Sequence, residues 1–271
     1  MTPAKQGEEV VEEVRKHYGT IAVTGSSCCA PSCCTPAGMS REIGYRADEL
    51  AAVPQEADLG LGCGAPVGHL ALRPGETVLD LGSGPGLDAF LASCQVGPGG
   101  HVIGVDMTPE RLARARATAS RAGLTQVDFR EGRLEALPVE DASVDAVTSN
   151  CVINLVPDKA AVFREVARVL RPGGRVVVSD IVLDRPLPEA VAKDVLAWVG
   201  CVAGAAMRED YFRMVTAAGL SEVTLLKDED SLKALAEVAP EEAAALVERS
   251  GVPRENLLGI VRSVTWRAVK R

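Results

Sequence analysis

Histidine is scarce: His17, His69 and His101 are the only three in 271 residues, so a histidine-based metal centre is poorly supplied. No apolar run approaches the roughly 20 residues that a membrane-spanning helix needs. No basic cluster stands out, and 29 Lys and Arg against 37 Asp and Glu leave a formal charge of −8. A nucleic acid or an anionic membrane is therefore a poor match as partner. Met1 to Val14 is polar and acidic and lacks the apolar centre of a secretory signal. No internal repeat is visible. These absences point to a soluble cytoplasmic protein with neither a nucleic-acid nor a membrane partner.

Cysteine, in contrast, is plentiful, at eight residues. Static disulfides are uncommon in a reducing compartment, so these thiols read as metal-binding, redox-active or simply buried. With 47% hydrophobic and 24% charged residues the chain has a globular balance. Its length suits one α/β domain with additions.

Val10, Val11, Val14 and Tyr18 share one face of an expected helix over 8–18. Gly25 to Gly38 is rich in Cys, Pro, Gly and Ser and reads as a loop, and 40–70 looks irregular. From residue 75 strands alternate with helices. Strands are expected at 76–82, 101–107, 126–132, 143–150 and 175–182, with helices over 87–96 and 158–170 between them. Thr108, Pro109 and Gly123 mark the start and stop of another helix. This rhythm predicts a Rossmann-like α/β fold with a mostly parallel sheet. After Leu183 helical stretches (190–199, 210–218, 231–237, 241–249) mix with alternating runs at 221–227 and 261–269. Three parts are thus expected: 1–70 with the N-terminal helix and Cys-rich loop, 71–185 as the Rossmann-like domain, and 186–271 as a smaller C-terminal α+β region.

The main chemical signal is VLDLGSGPG at 78–86. A strand carries Asp80, breaks at Gly82, Ser83, Gly84 and Gly86, and feeds a helix whose N-terminal N–H groups suit an anion such as a carboxylate. Asp106 follows 20 residues after Gly86 at the end of the next strand, where an acid suits ribose hydroxyls. A dinucleotide fingerprint needs G-x-G-x-x-G for a pyrophosphate. Here the glycines run G-x-G-x-G beside an acid, which favours the ammonium of S-adenosylmethionine (SAM) over a pyrophosphate.

The cysteines differ in setting. Cys94 lies within a helical pattern and reads as a buried core thiol. Cys151 follows the strand 143–150 and so stands at the C-terminal end of the sheet, where ligands bind in this fold. Cys63 in LGCGAP is flanked by glycines that expose it and leave room for something bulky, and Cys201 lies among small residues in VGCVAGA. Cys28, Cys29, Cys33 and Cys34 form C-C-x-x-x-C-C. That spacing is poor for a structural zinc site, and a flexible thiol store for metalloid capture or disulfide exchange is at least as good a reading.

SNCVINLVPDK (149–159), together with VLDLGSGPG, GHVIGVDMTPE (100–110), FREGRLEALPV (129–139) and RVLRPGGRVVVSDIV (168–182), resembles the arsenite methyltransferase family. The resemblance runs from about Val10 to Gly219. It implies a SAM-binding domain joined to an arsenic-binding segment, with cysteines holding As(III) and no metal cofactor required. The family's cysteines match at Cys63, Cys151 and Cys201, which it implies are the catalytic As(III) ligands. A redox-relay thiol is implied among Cys28, Cys29, Cys33 and Cys34. SAM contacts are implied at Asp80, Gly82, Ser83, Gly84, Asp106, Met107, Leu134, Glu135 and Asn150.

Soft thiolates suit trivalent arsenic, where oxygen ligands would not hold it. The implied reaction is an in-line attack of the arsenic lone pair on the sulfonium methyl, with no general base needed, as part of arsenite detoxification. Arsenite and methylarsenite are the implied substrates. Cys63 is implied to pair later with an N-terminal cysteine in a disulfide, and thioredoxin or glutathione to reset the protein. Two other readings are a methyltransferase of a quinone or sterol, since one fold serves many acceptors, and a non-catalytic metalloid or zinc sensor.

Overall fold

A computed structural model describes residues 36–189, 204–238 and 240–271, together with Glu12, Val14 to Lys16, Gly19, Thr20 and Val202. Cys28, Cys29, Cys33, Cys34 and Cys201 lie outside the described residues, as does the expected helix over 190–199.

Seven strands make one sheet: β1 (Thr77–Leu81), β2 (His101–Asp106), β3 (Val127–Glu131), β4 (Val144–Asn150), β5 (Leu170–Leu183), β6 (Leu220–Asp230) and β7 (Val261–Lys270). Their order is β3-β2-β1-β4-β5-β7-β6. The first five run parallel, and β7 inserts antiparallel between β5 and β6. The chain moves outward from β1 to β3, then returns to start again at β4 beside β1. That reversal opens a crevice beyond the C-terminal ends of β1 and β4. The glycine loop leaves β1 there, and Cys151 leaves β4 there.

The runs 221–227 and 261–269, expected in a smaller C-terminal region, instead complete this central sheet. Val264, Trp266 and Ala268 alternate along β7 and are fully buried. That face is covered by Phe163, Tyr211 and Phe212, whose rings meet each other and Trp266 edge-to-face at 5.2 to 6.1 Å. An alternating strand buries itself on whichever sheet supplies such a cover, and sequence spacing does not name that sheet.

Two short helices, α1 (Pro36–Glu42) and α2 (Ala47–Ala51), and two single 3-10 turns, Gln55–Ala57 and Pro66–His69, occupy the stretch expected to be irregular. No residue of α2 is buried. With no apolar stripe, neither helix leaves a periodic trace in the sequence. The longer helices α3 (Leu87–Val96), α4 (Pro109–Ala122), α5 (Lys159–Val169) and α6 (Arg208–Ala217) cover the sheet. In α4, Leu112, Ala115 and Ala119 are buried at helical spacing, and Gly123 ends the helix in the left-handed region at φ +66°. Thr108 precedes α4 without capping it through its side chain. Its N–H donates instead to Asp106 Oδ1 at 2.8 Å. Asp158 does cap α5, accepting from Ala161 N at 2.9 Å, a bond worth about 1 kcal/mol. Helices α7 (Ser231–Val238), α8 (Pro240–Ser250) and α9 (Arg254–Leu257) connect β6 to β7 around Leu232, Ala243 and Leu257. No helix among the described residues is long and apolar enough to cross a membrane.

Candidate active site

The loop after β1 is tied to the neighbouring strand, since the N–H groups of Gly82 and Ser83 both donate to Val105 O at 2.7 and 3.0 Å. Gly82, Gly84 and Gly86 all have positive φ. A Cβ at Gly82 would lie 2.5 Å from the Val152 side chain, so both backbone conformation and space demand glycine there.

Three carboxylates gather beside this loop. Asp80 is 2% exposed, and its Oδ2 has no hydrogen-bond partner. Burial, then the charges of Asp88 and Asp106, hold its pKa well above the usual carboxylate range. Burial also pushes Asp88 up to about 6, against the opposing pull of hydrogen bonds from Tyr45 and Asn150. Asp106 accepts from Thr108 N at 2.8 Å and from Gly84 N at 2.9 Å, with the Arg111 guanidinium 3.5 Å away. Each Asp106 oxygen keeps acceptor capacity for a hydroxyl. Ser83 Oγ is likewise buried without a partner. An orphaned carboxylate next to an acid suited to vicinal hydroxyls fits an amino-acid nucleoside such as SAM, whose ammonium would satisfy Asp80.

The adjoining cleft is lined by Gly82, Asp106, Met107, Leu134 and Glu135 among the residues expected from sequence. Asp80, Ser83, Gly84 and Gly86 belong to the strand and loop beside it. Val14, Arg111, Val152 and Leu155 line it too and were not anticipated. Arg111 carried a readable signal: a cation in the first turn of α4 opposes the helix dipole, so it calls for a local anion, which Asp106 provides.

Cys63 and Cys151 are joined as a disulfide, with Cα atoms 5.5 Å apart. Cys151 leaves β4 at φ +56°, a backbone state uncommon for a side-chain-bearing residue, and donates its N–H to Ser179 O at 2.8 Å. Both cysteines pack with Met107 and Val152 from the cleft wall around Val14, Leu155 and Ile181. Ala205, four residues after Cys201, joins the same cluster. The disulfide and the cleft beside the glycine loop therefore share a wall.

The glycines around Cys63 do not leave space, as the sequence suggested. They permit contact: a Cβ at Gly62 would lie 2.8 Å from the Asn150 amide, and one at Gly64 2.6 Å from Ser179 Oγ. Asn150, expected to contact SAM, spends its amide on this loop. Its Oδ1 accepts from Cys63 N at 2.9 Å, and its Nδ2 donates to Gly64 O at 2.7 Å and to Tyr45 Oη at 2.9 Å. Ser263 Oγ donates to Cys63 O at 2.8 Å from the other side.

The rest of the 149–159 segment is fixed by buried polar bonds. Asn154 Nδ2 donates to Asp180 Oδ1 at 2.9 Å and to Ile181 O at 2.6 Å, and Lys159 Nζ donates to Val156 O at 3.0 Å. Tyr211 Oη donates to Asp180 Oδ2 at 3.1 Å. Cys94, expected in the core, is an exposed free thiol on the outer face of α3. Ala89, Phe90, Ala92, Ser93 and Val96 take the inner face, and residue 94 falls outside that stripe.

A methyltransferase-domain family model matches residues 72–219. The arsenite methyltransferase of Halobacterium salinarum (strain ATCC 700922 / JCM 11081 / NRC-1) is 47% identical over 243 residues, covering 85% of this chain and 62% of that protein. The human arsenite methyltransferase is 35% identical, covering 74% and 56%. The crystal structure of an arsenic(III) S-adenosylmethionine methyltransferase from Chlamydomonas reinhardtii superposes with a TM-score of 0.64 at 33% identity, covering 86% of this chain and 73% of that one. The chain belongs to the arsenite methyltransferase family. It spans less than two thirds of the curated relatives' length. Its sheet is the class I fold of SAM-dependent methyltransferases. Among the described residues two of the expected family cysteines, Cys63 and Cys151, are brought together 88 positions apart. The disulfide partner of Cys63 is Cys151, not the N-terminal cysteine expected from the resemblance, because the fold sets the end of β4 against the Cys63 segment. Cys28, Cys29, Cys33, Cys34 and Cys201 lie outside the described residues.

Proposed function

We propose that the protein methylates trivalent arsenic held by Cys63 and Cys151, taking the methyl group from SAM, in arsenite detoxification. The observation that carries this is the meeting of the two cysteines on the wall of the cofactor cleft. Side chains that reach each other can bridge one soft, thiophilic atom between them. Cys201 is proposed as the third ligand, supported by Ala205 packing in the same cluster. The substrates are arsenite and methylarsenite.

SAM, when bound, supplies an electrophilic methyl on a sulfonium sulfur, which the arsenic lone pair takes as S-adenosylhomocysteine departs. The chain's own groups orient and enclose. Asp80 holds the ammonium, Asp106 the ribose hydroxyls, and Met107, Leu134 and Glu135 the remaining cofactor surface. Val14, Leu155 and Ile181 make the wall beside the two cysteines apolar. Holding nucleophile and methyl in line is the main catalytic contribution.

Arsenic is formally oxidised by methylation, and two protein thiols return the electron pair by closing a disulfide. Cys28, Cys29, Cys33 and Cys34 are proposed to relay oxidising equivalents to thioredoxin or glutathione in the cytoplasm. Incubating the reduced chain with arsenite, SAM and glutathione, followed by arsenic speciation, tests the reading. Methylated arsenic is expected. Its absence, with SAM bound and unconsumed, would sink the proposal.

A further inference from the structure

We infer that Asn150, Tyr45 and Asp88 form a positioning unit that holds the thiol of Cys63 opposite Cys151. No atom of the unit needs to touch arsenic or the transferred methyl group. The inference deepens the proposed function, yet its central claim concerns only where Cys63 stands.

Cys63 sits in a glycine-flanked segment, between Gln55–Ala57 and Pro66–His69, that has no helix or strand to hold it. Asn150 supplies that support. It is the last residue of β4 and immediately precedes Cys151, so anything it grips is set in register with Cys151. It grips the Cys63 segment from both sides of the cysteine, accepting from Cys63 N and donating to Gly64 O. Gly62 lies so close to the amide that no side chain fits.

Asn150 is itself held. Its Nδ2 donates to Tyr45 Oη, and Asp88 Oδ2 stands 3.3 Å from the same nitrogen. Tyr45 Oη donates in turn to Asp88 Oδ1 at 2.8 Å. Tyr45 is 4% exposed and Asp88 7%, so water does not compete for these bonds. Asp88 lies in the first turn of α3, directly after the cofactor loop. The unit thus links three chain segments, from before β1, after β1 and the end of β4.

The test uses the full reduced chain equilibrated in glutathione redox buffers. One oxidised glutathione takes two electrons from the thiols of Cys63 and Cys151, giving their disulfide and two reduced glutathiones. Peptide mapping by mass spectrometry reads the Cys63–Cys151 disulfide alone, whatever the other cysteines do. Asn150→Ala is expected to lower the equilibrium constant for that disulfide about tenfold or more, the scale of one to two lost hydrogen bonds. Affinity for S-adenosylhomocysteine, by calorimetry, is expected to stay within about twofold.

An unchanged disulfide constant overturns the inference. So does a loss of S-adenosylhomocysteine affinity as large as the change in the disulfide constant, which would make Asn150 a cofactor ligand. If Asn150→Ala does not fold, Tyr45→Phe carries the test by removing one hydroxyl. About a threefold drop with cofactor affinity kept supports the unit, and no drop overturns it. In turnover the variants raise the KM for arsenite more than they lower kcat. Failure of arsenic methylation in the unmodified protein would leave the disulfide measurement standing.

Discussion

The Cα atoms of Cys63 and Cys151 lie 5.5 Å apart although 88 residues separate them in the chain. In the proposed function two soft donors at that spacing chelate one arsenic atom, the second bond forming at high effective concentration. Cys151→Ser leaves a single thiol of the pair. Its affinity for arsenite is expected to fall on the order of 100-fold, with methylation lost. The cofactor contacts proposed for Asp80 and Asp106 lie on other strands, so cofactor binding is expected to persist. Arsenic speciation together with S-adenosylhomocysteine calorimetry checks both halves. Full turnover in the variant removes Cys151 from the site.

Gly62→Ala and Gly75→Ala separate two effects of the same substitution. Both glycines have positive φ, +137° and +88°. A Cβ at Gly75 meets nothing within 4 Å, whereas one at Gly62 meets Asn150. Gly75→Ala is expected to cost about 1 kcal/mol through backbone strain alone, seen as a lower Tm with arsenite KM unchanged. Gly62→Ala adds the displacement of Asn150 and Cys63. Its arsenite KM is expected to rise severalfold, by the scale of a weakened hydrogen bond. Equal KM values for the two variants would show that the close approach at Gly62 is of no consequence.

How far the site was legible in the sequence varies by residue type. Asp80, the glycine loop and Asp106 were readable because local order sets them: strand, acid, turn, helix, strand, acid. β7 and β6 were readable as alternating runs but not as members of the central sheet, because the cover over Trp266 comes from α5 and α6 far along the chain. The resemblance implied Cys63 and Cys151 as ligands of one arsenic atom but paired Cys63 with an N-terminal cysteine, and no local pattern dictates the bond to Cys151 that the fold makes. The hydrogen bonds of Asn150 were hidden for the same reason. Its partners Tyr45, Cys63 and Asp88 lie 105, 87 and 62 residues away. Cys94 was misjudged through periodicity, as a small residue near the edge of an apolar stripe turns outward with little cost.

Asp180 predicts a pH dependence of stability. It is fully buried, and that burial raises its pKa from the ordinary aspartate value of 3.8 to about 7, with the Ile181 N–H, Lys159 and Tyr211 pulling the other way. Between those two pH values the folded chain holds a proton that the unfolded chain has released, so stability falls as pH rises through this window. Above about 7 the full penalty is present. Asp180→Asn is expected to flatten the slope of unfolding free energy against pH between about 4 and 7 in urea titrations. An unchanged slope would place the burial cost elsewhere.

Asp80 makes the opposing demands of stability and binding measurable in one substitution. Its carboxylate is buried with Oδ2 unpartnered, and Asp88 and Asp106 repel it. Its raised pKa means that ionising it costs the folded chain lacking cofactor some of its stability. The same charge is what an incoming ammonium would neutralise. Asp80→Asn keeps the shape and removes the charge. Unfolding of the cofactor-free protein is expected to shift upward in temperature, while S-adenosylhomocysteine affinity drops at least about tenfold, the scale of a lost charge-assisted hydrogen bond. A variant that bound S-adenosylhomocysteine normally would show that Asp80 does not seat the ammonium. A lower Tm would show that the carboxylate supports the fold through its other oxygen.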